Sequence, residues 1–220
     1  MLTVHHLRRS QSERIVWLCE ELGLDYVLQC YARDPATMLA PAEYRALHPM
    51  GTAPVITDGD IVLAESGAIV DYIIATHGNR RLALAPEHPD FARYLFWFHY
   101  ANGTLQLHMM RNFTLHRAGV GDDHPVRRLA AERLERNLRL VEARLSEAEY
   151  LAGGELTGAD IMAAFSLTTM RLFFPLDLTP YPNTLAYLKR IGEREAYQRA
   201  MKKGDPELTP VLGATPLGRA

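Results

Sequence analysis

The sequence predicts a small α/β domain followed by an all-α domain, and three observations carry that reading. Strand and helix signals alternate from the start of the chain to His77. A stretch mixing Gly, Asn, Arg, Pro and His, residues 78–89, then reads as a linker. Beyond it strand signals vanish and long helical periodicities take over.

The first element is LTVHHL (2–7), short and rich in β-formers, with His5 and His6 on opposite faces. Ile15, Leu18, Cys19 and Leu22 then recur at helical spacing, and Gly23 stops the pattern. Tyr26 to Tyr31 reads as a second strand, so the chain opens with a βαβ unit. A loop from Arg33 to Pro41 leads to a short helical turn over 42–47. Pro54 to Thr57 and Ile61 to Leu63 read as two brief strands around Asp58-Gly59-Asp60, a hairpin signal. A helix from Ser66 to about His77 closes the set, with Ser66 as its expected N-cap. The order βαβ then ββα is that of a thioredoxin-like domain. The expected division is a thioredoxin-like domain over 1–78, a linker over 79–88, and an all-helical domain over 89–220.

In the second domain Phe91, Tyr94, Leu95, Phe98, Leu105, Met109 and Phe113 mark one long helix. Leu129, Leu134, Leu138, Val141 and Leu145 mark another, and 159–173, 183–192 and 194–203 fit three more. LTGADIMAA (156–164) is a helix start: Thr157 and Asp160 form a capping box, and Leu156 and Ile161 a hydrophobic staple. The tail from Gly204 carries three prolines and three glycines and is expected to be irregular.

Composition excludes several classes. The 220 residues are 48% hydrophobic and 23% charged, with a net charge of −2, so nothing favours a nucleic-acid or acidic-membrane partner. No apolar run is long enough to span a bilayer, and the expected compartment is the cytoplasm. The two cysteines, Cys19 and Cys30, match no disulfide framework, zinc pair or redox pair, and are expected to be reduced packing residues. The nine histidines show no His-x-x-x-His or His-Glu-x-x-His spacing, so no metal site is expected.

Three segments carry chemistry. SQSER (10–14) lies at the turn into the first helix, where backbone N–H groups and the helix dipole favour an anion. A thiolate there would be stabilised by a neighbouring hydroxyl such as that of Ser10. Lowering a thiol pKa from ~8.5 by two units needs about 2.7 kcal/mol, which one charged hydrogen bond and a helix terminus can supply. No cysteine occupies the turn, so the thiol has to arrive on a second molecule. Ser10-x-x-Glu13 also fits a capping box, an alternative with no chemistry in it. HPMGTAPVI (48–56) places Pro54 at the mouth of a strand; a cis Ala53–Pro54 bond would turn the backbone of Val55 outward to pair with an extended peptide. AESGAIVDYI (64–73) offers Ser66 for a carboxylate and Glu65 for an ammonium.

In order and spacing, SQSER, HPMGTAPVI and ESGAIVDYI resemble the glutathione-site motifs of the cytosolic glutathione S-transferase superfamily. The segments HPMG and LAESGAI are similar to those of bacterial and fungal members with a serine at the thiol-activating position. The resemblance implies glutathione as co-substrate, Ser10 as thiol-activating hydroxyl, Ala53, Pro54 and Val55 at the cysteinyl backbone, and Glu65 with Ser66 at the γ-glutamyl end. It implies His48 or Arg33 at the glycine carboxylate. Arg8 and Arg9 depart from the common pattern; Arg9, and after it Ser12, are the alternatives for thiolate stabilisation. Tyr100, Thr104, His108 and Arg111 recur along one side of the long helix, and the resemblance implies that this helix borders the electrophile pocket; with Arg8 they are the candidate contacts of a small hydrophobic electrophile, a plain solvated face being the alternative. The implied activity is transfer of glutathione to that electrophile by a homodimer. Peroxide reduction and a non-catalytic binding role are the alternatives on the same fold.

Overall fold

Strand β1 (Leu2–Leu7) is buried along nearly its whole length because it has a neighbour on each side. The structure, a computed structural model, describes residues 1–215. The sheet order is β2-β1-β3-β4, with β2 at Val27–Tyr31, β3 at Val55–Asp58 and β4 at Ile61–Ala64. β1 runs parallel to β2, with His6 opposite Cys30, and antiparallel to β3, with His5 opposite Val55. β3 and β4 form the expected hairpin, with Gly59 at φ 58° in its turn. Helix α1 (Glu13–Leu22) and helix α3 (Ser66–Thr76) pack on each other and on the sheet. Ile15, Leu18, Ile56, Ile69 and Ile73, all fully buried, make that core. The short α2 (Ala42–Arg45) contributes Tyr44, buried beside Leu7, Val55 and Ala64.

Two compact units form among the described residues: Met1–Ala83 with Ile191–Pro210, and Leu84–Arg190 with 211–215. The first is a thioredoxin-like α/β unit, the second a helical one. The last helix, α9 (Glu195–Gly204), packs on α1 of the first unit. The cause lies on the α1 face that lacks the apolar stripe. Trp17 meets Tyr197 edge to face at 5.2 Å, Glu20 pairs with Lys203 and Arg199, and Glu21 pairs with Arg194. Every residue of α1 except Glu21 is consequently buried. Gly204 ends α9 against β1; a Cβ there would stand 2.9 Å from the His6 ring, so glycine permits the approach.

The helical unit departs from expectation in two places. The expected single helix is α4 (Phe91–Tyr100), a π-helical segment (Ala101–Gln106) and α5 (Leu107–Arg117). Asn102 and Gly103, two weak helix formers, sit inside the π segment. Helix α6 (Pro125–Glu147) starts with proline at its first turn and buries Leu134, Leu138, Val141 and Leu145, while Leu129 stays exposed. The helix expected over 159–173 breaks at Thr168 into α7 (Gly158–Leu167) and a 3₁₀ turn (Thr169–Leu172). The Thr157–Asp160 capping box forms as expected, and Asp160 also accepts from Leu151 N and from Tyr187 on α8 (Pro182–Gly192). Residues 205–215 carry no helix or strand, and the rest of the tail, 216–220, lies outside the described residues.

Candidate active site

The turn from β1 into α1 is held by hydroxyls. Ser10 is buried; its Oγ accepts from Ser12 N at 3.2 Å and lies 2.8 Å from Ser12 Oγ. Ser12, fully buried, accepts from Leu7 N at 3.1 Å and lies 2.9 Å from His6 Nδ1. His6 Nε2 in turn lies 3.0 Å from Asp205 Oδ2. The helix begins at Glu13 with Ser12 at the N-cap position and no capping bond from its side chain. Ser10 therefore does not cap α1 in the expected way; its oxygen closes a tight turn onto the amide two residues on. The amides of Glu13, Arg14 and Ile15 bond to the carbonyls of Ser10, Gln11 and Ser12. The unoccupied N-terminal amides expected for an anion are thus largely used within the turn, and the hydroxyl is the group presented there.

Arg9 sits beside Ser10 at φ 54°, a left-handed conformation costly for a non-glycine residue. Its N–H donates to both carboxylate oxygens of Asp205, at 3.0 and 3.3 Å, while its side chain is exposed. Arg33 donates to the carbonyls of Arg8, Arg9 and Met38, at 2.9–3.1 Å. Its guanidinium fastens this loop instead of standing open for a carboxylate. Arg8, Arg9, Arg33 and Asp205 line a cavity of about 190 Å³ next to the Ser10 turn.

The Ala53–Pro54 peptide is cis, as expected from HPMGTAPVI. Val55, buried, follows as the first residue of β3, between His5 and Ala64. His48 starts the preceding turn: its carbonyl accepts from Gly51 N and its Nδ1 from Met50 N.

At the head of α3 the structure corrects one expectation. The N-cap position is Glu65, exposed and at φ 74°, and Ser66 is the first helical residue. Ser66 is buried, and its Oγ accepts from Arg14 Nη1 at 3.1 Å. The same nitrogen donates to Gln11 at 3.0 Å, so Arg14 ties the Ser10 turn to the start of α3. Burial pushes the Arg14 pKa down to about 9, against the opposing pull of Glu13 and Glu65. Sequence reasoning gave no role to Arg14, Gln11, His6 or Asp205, and held Ser12 in reserve. The Ser-x-Ser spacing was the available signal; Asp205, 196 residues from Arg9, offered none.

On the helical unit, Tyr100 is buried and its hydroxyl donates to the side chain and carbonyl of Asn137. Thr104 lies in the π segment, so the side expected to join Tyr100, Thr104, His108 and Arg111 is not the face of a regular α-helix. His108 is half-buried, and burial, with Arg111 and Arg133 nearby, lowers its pKa; Arg111 is exposed. Both cysteines are free thiols. Burial pushes Cys19 up to about 12, and burial also raises Cys30. Among the described residues no group of three or more His, Cys, Asp or Glu could hold a metal ion, and no helix is long and apolar enough to cross a membrane.

The model of the glutathione S-transferase N-terminal domain matches residues 9–76, and that of the C-terminal domain matches 105–195. Glutathione S-transferase 1 of Saccharomyces cerevisiae is 30% identical over 92% of this chain and 95% of its own. The chain belongs to the glutathione S-transferase family. A glutathione S-transferase structure from Actinobacillus pleuropneumoniae superposes with a TM-score of 0.83 at 33% identity, covering 93% of each chain. A theta-class glutathione S-transferase from Xanthomonas axonopodis pv. citri, solved with glutathione bound, gives 0.69 at 27% identity over 90% of this chain and 96% of its own. The matched N-terminal segment holds Ser10, Ser12, Arg14, Glu65 and Ser66. His6 and Asp205 fall outside both matched segments of this family member.

Proposed function

We propose that the chain is an active glutathione S-transferase, in which Ser10 stabilises the thiolate of bound glutathione for attack on a small hydrophobic electrophile. The observation that carries this reading is the Ser10 hydroxyl, buried at the head of α1 with its oxygen already fixed by Ser12. A donor held in place before the charge forms costs little reorganisation when it does. Neither cysteine has a lowered pKa, so the reactive sulfur comes with the co-substrate.

In this reading the cis Ala53–Pro54 turn and Val55 hold the cysteinyl backbone, and Glu65 and Ser66 take the γ-glutamyl ammonium and carboxylate. Arg14 donates to Ser66 Oγ, which holds the Ser66 side chain in place at the head of α3. His48 is the better placed candidate for the glycine carboxylate, since Arg33 is engaged with the loop carbonyls. Arg9 adds positive charge near the sulfur. On the helical unit, Thr104, His108 and Arg111 are the proposed contacts of the electrophile, with Tyr100 holding the helical segment that bears them. The thiol proton leaves to solvent; as the thiolate forms its bond to carbon, the leaving group, chloride in a chlorinated nitroaromatic, departs with the electron pair of the broken bond, and proximity and thiolate stabilisation supply the catalysis with no covalent enzyme intermediate. The glutathione-bound Xanthomonas relative supports the choice of co-substrate.

Retention on immobilised glutathione, release by free glutathione, and turnover of a chlorinated nitroaromatic are the expected results. Failure to bind glutathione contradicts the reading. We further propose a cytoplasmic homodimer; sedimentation showing a concentration-independent monomer contradicts that state.

A further inference from the structure

We propose that the cavity beside the Ser10 turn takes a carboxylate carried by the electrophile, which makes the second substrate an acid-bearing electrophile and Arg8 a specificity-determining residue for it. The inference rests on the transferase reading above and deepens it by naming the class of electrophile.

The topology gathers positive charge at this point. β1 and β2 run parallel with Leu7 opposite Tyr31, so the residues that follow the two strands, Arg8 with Arg9 and Arg33, emerge side by side. All three line the cavity of about 190 Å³, and every lining residue belongs to the first unit. At ~30 Å³ per water the space holds about six waters, room for a carboxylate on a small ring or a short chain. Met38, Pro206 and Leu208 line the rest and give the carbon body of such a molecule an apolar wall.

Like charges held together cost free energy unless an anion answers them. The chain answers them only in part. Asp205 is buried and engaged with Arg9 N–H and His6 Nε2, and Glu207, the other lining carboxylate, is exposed. Arg33 donates to loop carbonyls, and burial lowers its pKa, with the Arg9 charge adding to the fall against Asp205 and Tyr44. Among the described residues the side chains of Arg8 and Arg9 form no hydrogen bond or ion pair within the chain. Arg8 is half-buried, and its planar fork of N–H groups matches a carboxylate. In the transferase reading glutathione lies along Val55, Glu65 and Ser66 with its sulfur at Ser10. Arg8 and Arg9 immediately precede Ser10, so an anion they hold adjoins the reacting end and belongs to the electrophile.

The test compares kcat/KM, at saturating glutathione, for a chlorodinitrobenzoate with chlorine para to the carboxylate and for its carboxamide, which keeps the shape without the charge. In both, sulfur bonds to the carbon bearing chlorine and chloride leaves with the electron pair, so the carboxylate is not consumed. Arg8→Gln should lower the acid-to-amide ratio of kcat/KM by about tenfold, the effect of losing one charge-assisted contact, through the KM of the acid. The ratio cancels the difference in intrinsic reactivity and any loss of folded protein. In the unmodified protein, added salt should raise the KM of the acid and leave that of the amide level, an arm that needs no variant. A ratio unmoved by Arg8→Gln, or an acid KM indifferent to salt, would overturn the proposal and leave the transferase reading standing. A rise in the glutathione KM of Arg8→Gln with the ratio unmoved would place the carboxylate on glutathione itself, and overturns the proposal too. Neither compound turned over by the unmodified protein removes the transferase reading, and this inference with it.

Discussion

At Ser66 a buried guanidinium holds a hydroxyl in place. Arg14 is buried, donates to Ser66 Oγ and to Gln11 Oε1, and has no close substitute among cationic residues. Arg14→Lys should therefore weaken glutathione binding by about tenfold, the effect of losing one hydrogen bond to an ordered charged group. The pH at which bound glutathione ionises should stay where it is, because the change lies at the proposed γ-glutamyl end. Calorimetric titration beside a thiolate absorbance profile separates the two effects. Much of the candidate site's local geometry was legible from sequence because its parts are local: Ser10 in a turn, Pro54 at a strand mouth, Glu65 and Ser66 at a helix start. Arg14 stood in the open within SQSER, yet a buried arginine and a surface one look alike in a single sequence. Asp205 was out of reach, since a contact across 196 residues leaves no periodic or spacing signal.

The pairing of α1 with α9 shows what periodicity alone misses at the scale of elements. Ile15, Leu18, Cys19 and Leu22 define an apolar stripe, and the opposite face, with Trp17, Glu20 and Glu21, lies outside it. In the fold that face is covered. Burial tends to raise the Glu20 carboxyl, but hydrogen bonds from Lys203, Tyr26 and Arg199 outweigh it and hold the carboxyl below its ordinary value of 4.5. A carboxyl depressed in the folded state stabilises the fold above its unfolded pKa and loses that contribution as the pH falls through the folded value. Glu20→Gln should accordingly cost about 1–2 kcal/mol at neutral pH. The gap between variant and unmodified protein should close as the pH drops below 4.5. Denaturant titrations across that range check both the size and the sign. In the helical unit, Asp160 accepts the amides of Thr157 and Leu151 and the hydroxyl of Tyr187. Asp160→Ala strands two buried amides and should cost about 3 kcal/mol or more, read from the same titrations. The capping box was legible because it is local, whereas the π segment after Tyr100 was not. Its apolar residues keep a near-helical spacing, and only the weak formers Asn102 and Gly103 hint at the change.

At the scale of the whole molecule, the order of elements is what a single sequence conveys best: alternating strands and helices, a linker, then helices. The packing units do not follow that order, because α9 returns to the first unit and brings Asp205 with it. The central claim joins the two scales: a buried serine, fixed by its neighbours, makes bound glutathione a thiolate at neutral pH. Its most direct test is the ultraviolet thiolate absorbance of glutathione bound to the intact protein and to Ser10→Ala, followed across pH. The account predicts a midpoint below that of free glutathione in the unmodified protein. In Ser10→Ala it predicts a rise of roughly one to two pH units, the equivalent of one hydrogen bond to a charge, with glutathione still bound. Superimposable profiles for the two proteins would contradict it.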